Sequence, residues 1–347
     1  AYRAGQGPSR VFLSQRSGVW ITPKVLGNFA QDAALRHAMK RPGAWERFSR
    51  RYIPRGIRKA FADFMAQNFI KLIAGSPQRV GQLPDGKFRI QPCPAGESGG
   101  GLQVLDAVQA GTIEAGHTAL YYYIGKNNAF VPFTAMSFGL TMRQMTAWLR
   151  YGGGNQLCNE LLSEYNVRGL PAGDTGAQMG GWFRSEMRSV ADLRGLKFRI
   201  TGLAGQLFTR LGAAPTLTAP ADIYPSLERG VIDAAEFVGP HDDERANYVR
   251  VARFYYAPGF WEPSARLHFI SNQRAYDALP DLYKHALEVA CLEADSDMTA
   301  RYDDANPKAL RRLVAAGAQL RFWPREILEA AWRANAEMTT EIAGQNP

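Results

Sequence analysis

The sequence has little cysteine, no long apolar run and none of the compact motifs that mark common enzymes. Its three cysteines, Cys93, Cys158 and Cys291, lie far apart among 347 residues and lack the spacing of a metal site. An odd count leaves at least one thiol unpaired, so these cysteines neither require nor exclude an oxidising compartment. No window approaches 18 consecutive apolar residues, which leaves no candidate membrane-spanning helix. The five histidines, His37, His117, His241, His268 and His285, form no H-E-x-x-H or other spaced set. There is no G-x-S-x-G elbow, and the glycine run Tyr151–Asn155 lacks the Lys-Ser/Thr of a phosphate-binding loop. "GLAGQLFTRLG" (Gly202–Gly212) lacks the leading G-x-G of a dinucleotide loop, and "GPHDDE" (Gly239–Glu244) reads as an acidic helix start rather than a metal site. No nucleophile or general base is poised by a neighbour, so the expectation is that the chain is not an enzyme. The sequence opens at Ala1 with neither an initiating Met nor a signal-peptide pattern, an opening compatible with a leader already removed.

What the sequence does contain is enough apolar material for a substantial core. Hydrophobic residues make up 46% and charged residues 21%, an ordinary globular balance, and the length favours two domains. The formal net charge is +9, with a dense basic block from Arg36 to Lys59 interleaved with Trp45, Phe48 and Tyr52. Such a block could follow nucleic-acid phosphates, but no recognised nucleic-acid module accompanies it. A solvated basic helix and loop is the plainer reading, and a general positive field would equally draw small anions toward a cleft.

Periodicity organises the chain beyond residue 60. Ser9–Ser14 reads as a short strand, and Arg58–Ile73 has helical spacing of Phe61, Phe64, Met65, Ile70 and Ile73. The turn cluster "GQLPDG" leads into a strand-like "KFRIQPC" (Lys87–Cys93). A glycine-led helix with Leu102, Leu105, Val108 and Ile113 as its buried stripe precedes a short strand, and "MRQMTAWLRYGG" is a helix closed by glycines. Ser189 is a candidate N-cap before a short helix and the strand Lys197–Ile200; a further helix and an extended segment follow. "QVLDAVQAGTIEAGH" and "DIYPSLERGVIDAAEFV" share one plan of helix, glycine turn and strand, the second ending on the strand Ala234–Val238. That repetition predicts two similar α/β domains with largely parallel sheets. Ser264–Pro280 reads as a long strand, an N-cap-like Asn272 and a helix, and the strand is long enough to cross between domains around a ligand cleft. Amphipathic helices from Pro280 to Ala316 and from Pro324 to Ala343 close the chain.

One residue stands out chemically. Arg199 lies inside the apolar strand "KFRI", and a guanidinium is costly to bury unless an anion meets it. The partner is either an acid of the chain itself or an anion that arrives from outside.

The stretches "FRIQPCPAGE", "LQVLDAVQAGTIEAGHTALYYYIGK", "PAGDTGAQMGGWFR", "DLRGLKFRITGLAGQLFTRLGA", "IYPSLERGVIDAAEFVGPHDD" and "YYAPGFWEPSARLHFISNQRAYDALP" together resemble the extracytoplasmic solute-binding proteins of TRAP transporters (DctP-type), nearest to the subgroup that binds 2-oxo and 2-hydroxy monocarboxylates. The resemblance runs from about Phe88 to the C-terminal helices. It implies an α/β, two-domain periplasmic clamp with crossing strands and an interdomain cleft that delivers a pyruvate- or lactate-like ligand to membrane subunits. Applied to this sequence, the domains become 1–175 plus about 266–303, and 176–265 plus about 304–347. The resemblance assigns Arg199 to the ligand carboxylate and Gln178, Glu236, the backbone carbonyl of Phe237 and Glu262 to a Ca²⁺ or Na⁺ ion that touches the ligand. Amide, carboxylate and carbonyl oxygens are hard donors suited to those ions. An aromatic cluster at the cleft maps to Tyr121 and Tyr122 of "YYY". Phe237 stands where the family commonly has Trp, and the family's N-terminal cleft loop has no recognisable counterpart in Ala1–Lys59. A homodimer through the C-terminal helices is a further implication. The competing expectations are a dicarboxylate or other organic acid bound without metal and, more remotely, nucleic-acid binding through the basic block.

Overall fold

Two sheets organise the residues that the computed structural model describes, which are Phe88, Ile90, Gln91 and 101–345 apart from Thr201 and Ala219. The expected strand Ser9–Ser14, the helix Arg58–Ile73, the basic block Arg36–Lys59 and Cys93 lie outside these residues. Of the expected strand Lys87–Cys93, the described Phe88, Ile90 and Gln91 are in no strand; Phe88 instead stacks on Tyr283 with ring centroids 4.7 Å apart.

Helix α1 (Val104–Ala110) buries Leu105 and Val108, stops at Gly111 and turns into β1 (Ala115–Thr118). Helix α2 (Met142–Tyr151) starts from a Thr141/Gln144 capping box and buries Met145 and Leu149. After α3 (Gly154–Ser163) comes β2 (Val167–Asp174). The three-stranded sheet has the order β1-β8-β2, where β8 is Arg266–Asn272. Every residue of β8 is buried, and successive side chains serve opposite faces. Ile270 joins Leu105, Val108, Leu149 and Leu162 on one side; Phe269 joins Leu170, Ala172 and Leu287 on the other. Both pairings are antiparallel, which corrects the expectation of largely parallel sheets. β1 and β2 do run the same way, as helix-linked strands should, but β8 returns from the far side and inserts between them. Asn272 caps the next helix, α7 (Gln273–Asp277), by accepting hydrogen bonds from the amides of Arg274 and Ala275.

The second sheet has six strands in the order β5-β4-β6-β3-β7-β9. They are β3 (Trp182–Phe183), β4 (Lys197–Arg199), β5 (Ala214–Thr216), β6 (Ala234–Ala235), β7 (Phe254–Ala257) and β9 (Gln319–Phe322). β4 pairs in parallel with β5 and β6, as does β7 with β9; β3 is antiparallel to both neighbours. Helices α4 (Gly202–Arg210) and α5 (Pro220–Glu228) make the connections, and α6 (Pro240–Ala246) follows β6. Ser189 caps the short 3-10 turn Val190–Leu193 before β4, as expected.

Helix α8 (Asp281–Ala315) spans both sheets. Its first half packs Leu287, Ala290 and Cys291 against β2; its second half sets Tyr302 edge-on to His241, accepts the His241 amide on Asn306 Oδ1 at 3.0 Å and buries Leu313 beside Trp182 and Tyr255. The last helix, α9, is Arg325–Gln345. Where the chain passes between sheets, Arg266 at the start of β8 is buried against Asp174 (3.2 Å), Asp295 and Thr146 Oγ1 (2.6 Å), and Arg150 meets Asp295 from the rim at 3.1 Å. Breaking such a buried pair on one side leaves an uncompensated charge, so this knot holds β2, β8, α2 and α8 in register. Cys158 and Cys291 are buried free thiols, and among the described residues no helix is long and apolar enough to cross a membrane.

His268 in β8 is fully buried, with Nε2 3.9 Å from Cys158 Sγ. Burial, then the Arg266 charge, pushes its pKa down to about 3. The folded chain therefore refuses a proton that the unfolded chain accepts below about 6.5, and this stabilising contribution is lost as pH falls from there toward 3. Urea unfolding at pH 7 and pH 5 should show the wild type losing ~1–2 kcal/mol more stability than His268→Gln on acidification. Equal losses would contradict this.

Candidate functional site

Arg199 ends β4, and Glu236 follows the end of the parallel neighbour β6, so both emerge at the carboxyl ends of adjacent strands, where open α/β sheets bind ligands. The expected strand Ala234–Val238 ends at Ala235 because the backbone then bends away: the Val238 carbonyl is taken by Met179 N (3.2 Å) and Pro240 starts α6. Arg199 is 2% exposed. Its Nη1 donates to the Glu236 carbonyl (2.7 Å) and to Glu236 Oε2 (2.9 Å), and Nε donates to the Thr218 carbonyl (3.2 Å). Among the described residues, Nη2 has no hydrogen-bond partner. Of the two partners considered from sequence, an acid of the chain is present on one side of the guanidinium. After Arg199 the chain must turn sharply into α4. Gly202 has φ +60°, a left-handed conformation that glycine adopts readily, and the Tyr121 ring packs beside it.

The second sheet supplies Gln178 just before β3, and the crossing segment supplies Glu262 just before β8; both are buried. Gln178 Nε2 donates to Thr175 Oγ1 (2.9 Å) and to Glu262 Oε1 (3.0 Å). Those two acceptors fix the amide's orientation and turn Oε1 the other way, where it is buried without a partner. Glu236 Oε1 is likewise a buried acceptor with no donor. Burial raises Glu236 to about 7 even though Arg199 pulls it down. Burial, and after it the Glu236 charge, holds Glu262 well above the usual carboxylate range, while hydrogen bonds from Gln178 and Tyr121 pull the other way.

Tyr121 and Tyr122 sit in the 3-10 turn Leu120–Tyr123 with rings edge to face, centroids 4.8 Å apart. Tyr121 hydrogen-bonds Glu262 and Tyr122; loss of water raises the Tyr122 phenol, and Arg199 opposes that rise. Tyr123 turns away, its hydroxyl on Thr118 Oγ1 (2.7 Å) and the Leu105 amide (3.1 Å). The Phe237 ring lies edge-on to Tyr248.

The seven residues singled out from sequence therefore fall in one neighbourhood. One guanidinium faces two carboxyls in a dry site, so ionising both at once is costly unless a further positive charge enters. Two orphaned acceptor oxygens, a second carboxylate and an adjacent backbone carbonyl are a hard-oxygen donor set, so the site fits Na⁺ or Ca²⁺ rather than a soft metal. Among the described residues, no cluster of three or more His, Cys, Asp or Glu side chains is placed to hold a metal. At the Glu262–Tyr121 end lies a small cavity of about 10 Å³, walled by Val131, Ala135, Leu203 and Trp261. The Trp261 indole N–H is buried without a partner.

Sequence reasoning did not find Thr175, Trp261 or Tyr248. The signal for Thr175 was present in "DTGAQ", a turn that places a hydroxyl three residues before the glutamine. Tyr248 carried no local signal. The acid pair Asp242 and Asp243 does sit in the first turn of α6, but buried rather than solvated.

Comparison with known proteins gives a consistent result. Residues 77–346 match the model of the bacterial extracellular solute-binding protein, family 7 (DctP). The chain is 46% identical over 269 residues to a monocarboxylate 2-oxoacid-binding periplasmic protein of Nostoc sp. strain PCC 7120, covering 78% of this chain and 74% of that one. It is similar to a TRAP transporter solute-binding protein of Bordetella bronchiseptica RB50, a mixed-occupancy dimer with copurified calcium and picolinate in a bound active site against an apo site (TM-score 0.79, 45% identity, 82% of this chain and 84% of that one). A TRAP periplasmic solute-binding protein of Pseudoalteromonas atlantica T6c with bound sodium and pyruvate superposes with TM-score 0.75 at 36% identity, over 79% of this chain and 84% of that one.

Removing the guanidinium would leave Glu236 and Glu262 as uncompensated neighbours. At pH 8, Arg199→Ala is expected to cost ~3 kcal/mol in urea unfolding, and Arg199→Ala/Glu236→Gln should recover at least half of that loss. A double variant as unstable as the single one would show that the pair does not carry this energy.

Proposed function

The chain belongs to the family 7 bacterial extracellular solute-binding proteins, the receptors of TRAP transporters, and on that premise we propose that it captures a small 2-oxo or 2-hydroxy monocarboxylate together with a sodium or calcium ion. It is a two-domain α/β receptor of the periplasmic type and not an enzyme. The observation that carries the ligand reading is the juxtaposition of Arg199, whose Nη2 has no hydrogen-bond partner among the described residues, with the buried orphaned oxygens of Gln178 and Glu236.

In this reading, Arg199 donates Nη2 to the ligand carboxylate while Nη1 stays on Glu236, a charge-assisted contact in a dry site. Gln178, Glu236, Glu262 and the Phe237 carbonyl hold the cation. A cation bound there supplies the positive charge that lets a further carboxylate enter beside two acids, and offers a partner to the oxo or hydroxyl oxygen. Thr175 keeps the Gln178 amide turned the useful way. Tyr121 and Tyr122 cover the ligand, and the apolar cavity beside Glu262 receives its tail. A dicarboxylate would bring a second charge to a cluster with one guanidinium, and the cavity beside Glu262 offers it the Trp261 indole N–H and the Ser137 hydroxyl but no second cationic side chain.

The division into 1–175 with about 266–303 and 176–265 with about 304–347 belongs to the same proposal; it follows the crossing at Asp174, the return at Arg266 and the span of α8. Ligand binding would favour the closed state and so shift a pre-existing equilibrium between open and closed lobes. Delivery to the membrane subunits and pairing of two copies through α9, where Trp332 is 57% exposed, complete it.

The test is thermal unfolding with pyruvate, lactate and succinate, each with Na⁺, with Ca²⁺ and with chelator. Pyruvate or lactate at 100 times its Kd should stabilise the fold by about 2.7 kcal/mol, and only when cation is present. Arg199→Ala should need at least ~10-fold more pyruvate. Stabilisation by succinate in chelator, or no response to any monocarboxylate, would contradict the proposal.

A further inference from the structure

Asp243 takes no part in the site as described, yet it is 1% exposed and strongly bonded. Its Oδ2 accepts from the Trp182 indole N–H (2.9 Å) and from the Tyr255 hydroxyl (2.6 Å). The two donor rings stack on each other, centroids 4.0 Å apart and 13° from parallel. Trp182 is paired across the sheet with Ala235 on one side and Tyr255 on the other, so Asp243 grips the middle of a three-strand ladder.

The connectivity gives that grip a consequence. Trp182 comes four residues after Gln178, and Ala235 immediately precedes Glu236 and Phe237. The two segments run tightly together. Gly181 has φ +80°, and a Cβ there would lie 2.6 Å from the Ala235 carbonyl oxygen and 3.0 Å from Glu236 Cα. Met179 N reaches the Val238 carbonyl at 3.2 Å. Asp243 itself lies in the helix that leaves Glu236–Val238, and its amide donates to the Gly239 carbonyl at 2.9 Å. Its carboxylate thus closes a loop: it ties the segment after Gln178 to the helix after Glu236 and Phe237. Tyr248, five residues after Asp243, packs edge-on against Phe237, which joins this network to the site.

We infer that Asp243 is a positioning residue for the cation: its hydrogen bonds to Trp182 and Tyr255 set the separation between the Gln178 oxygen and the oxygens of Glu236 and Phe237. The inference rests on the proposed assignment of those oxygens to a cation. Groups hydrogen-bonded directly to metal ligands commonly affect metal affinity by about 10–100-fold, and Asp243, one link further back, is expected at the lower end of that range.

The experiment is calorimetric titration of CaCl₂ into the full chain, stripped of cation, well below each variant's unfolding midpoint. Asp243→Ala is expected to weaken Ca²⁺ by about tenfold or more, whereas Asp243→Asn, whose amide oxygen can accept both hydrogen bonds, should stay within about threefold of wild type. Tyr255→Phe removes one donor and should fall between them; it carries the test if Asp243→Ala does not fold. Unchanged Ca²⁺ affinity in Asp243→Ala or Tyr255→Phe, whatever the midpoint does, would reduce Asp243 to a structural residue and overturn the inference. An Asn variant as weak as the Ala variant would overturn it as well, since charge rather than placement would then be acting. If the wild-type chain binds neither Ca²⁺ nor Na⁺, the reading of the site fails and this inference fails with it.

Discussion

A buried guanidinium held on one side by a carboxylate is the contact around which the site is arranged. Arg199 and Glu236 emerge from neighbouring parallel strands, and neither is stable alone in so dry a place. Their pairing satisfies one face of each group. It leaves Arg199 Nη2 without a partner among the described residues and Glu236 Oε1 buried without a donor. Glu262 adds a second carboxyl, and burial, then the Glu236 charge, holds its pKa well above the usual carboxylate range. Such a site gains most from a visitor carrying both signs, an anion together with a cation.

The fold serves this contact by bringing together residues from distant stretches. Gln178 and Glu262 lie on the two segments that pass between the sheets, Arg199 and Glu236 on the six-stranded sheet, and Tyr121 and Tyr122 beside the three-stranded one. Any relative movement of the two sheets would change the distances among these groups. The Arg266 knot with Asp174 and Asp295, together with the unbroken run of α8 along both sheets, limits where such movement can pivot.

Much of this was legible in the sequence because the signals were local. The capping residues Ser189 and Asn272, the glycine after α1 and the two C-terminal helices follow from short-range chemistry. The convergence of Arg199, Gln178, Glu236, Glu262 and the tyrosines came from resemblance of ordered motifs and not from spacing, since no period links residues 121 and 262. The strand order was less accessible: β8 separates β1 from β2, and nothing in its own apolar run reports the direction of its neighbours. Asp243 was read only as part of the acidic helix start Gly239–Glu244, because its partners Trp182 and Tyr255 are 61 and 12 residues away.

The central claim is that cation and 2-oxo acid bind as one unit, and reciprocal titration tests it most directly. Pyruvate affinity should be measured with and without Ca²⁺, and Ca²⁺ affinity with and without pyruvate. Linkage requires the same factor in both directions, and a shared site predicts a factor of at least ~10. A pyruvate affinity indifferent to cation, with Ca²⁺ indifferent to pyruvate, would show that the two do not meet among these residues.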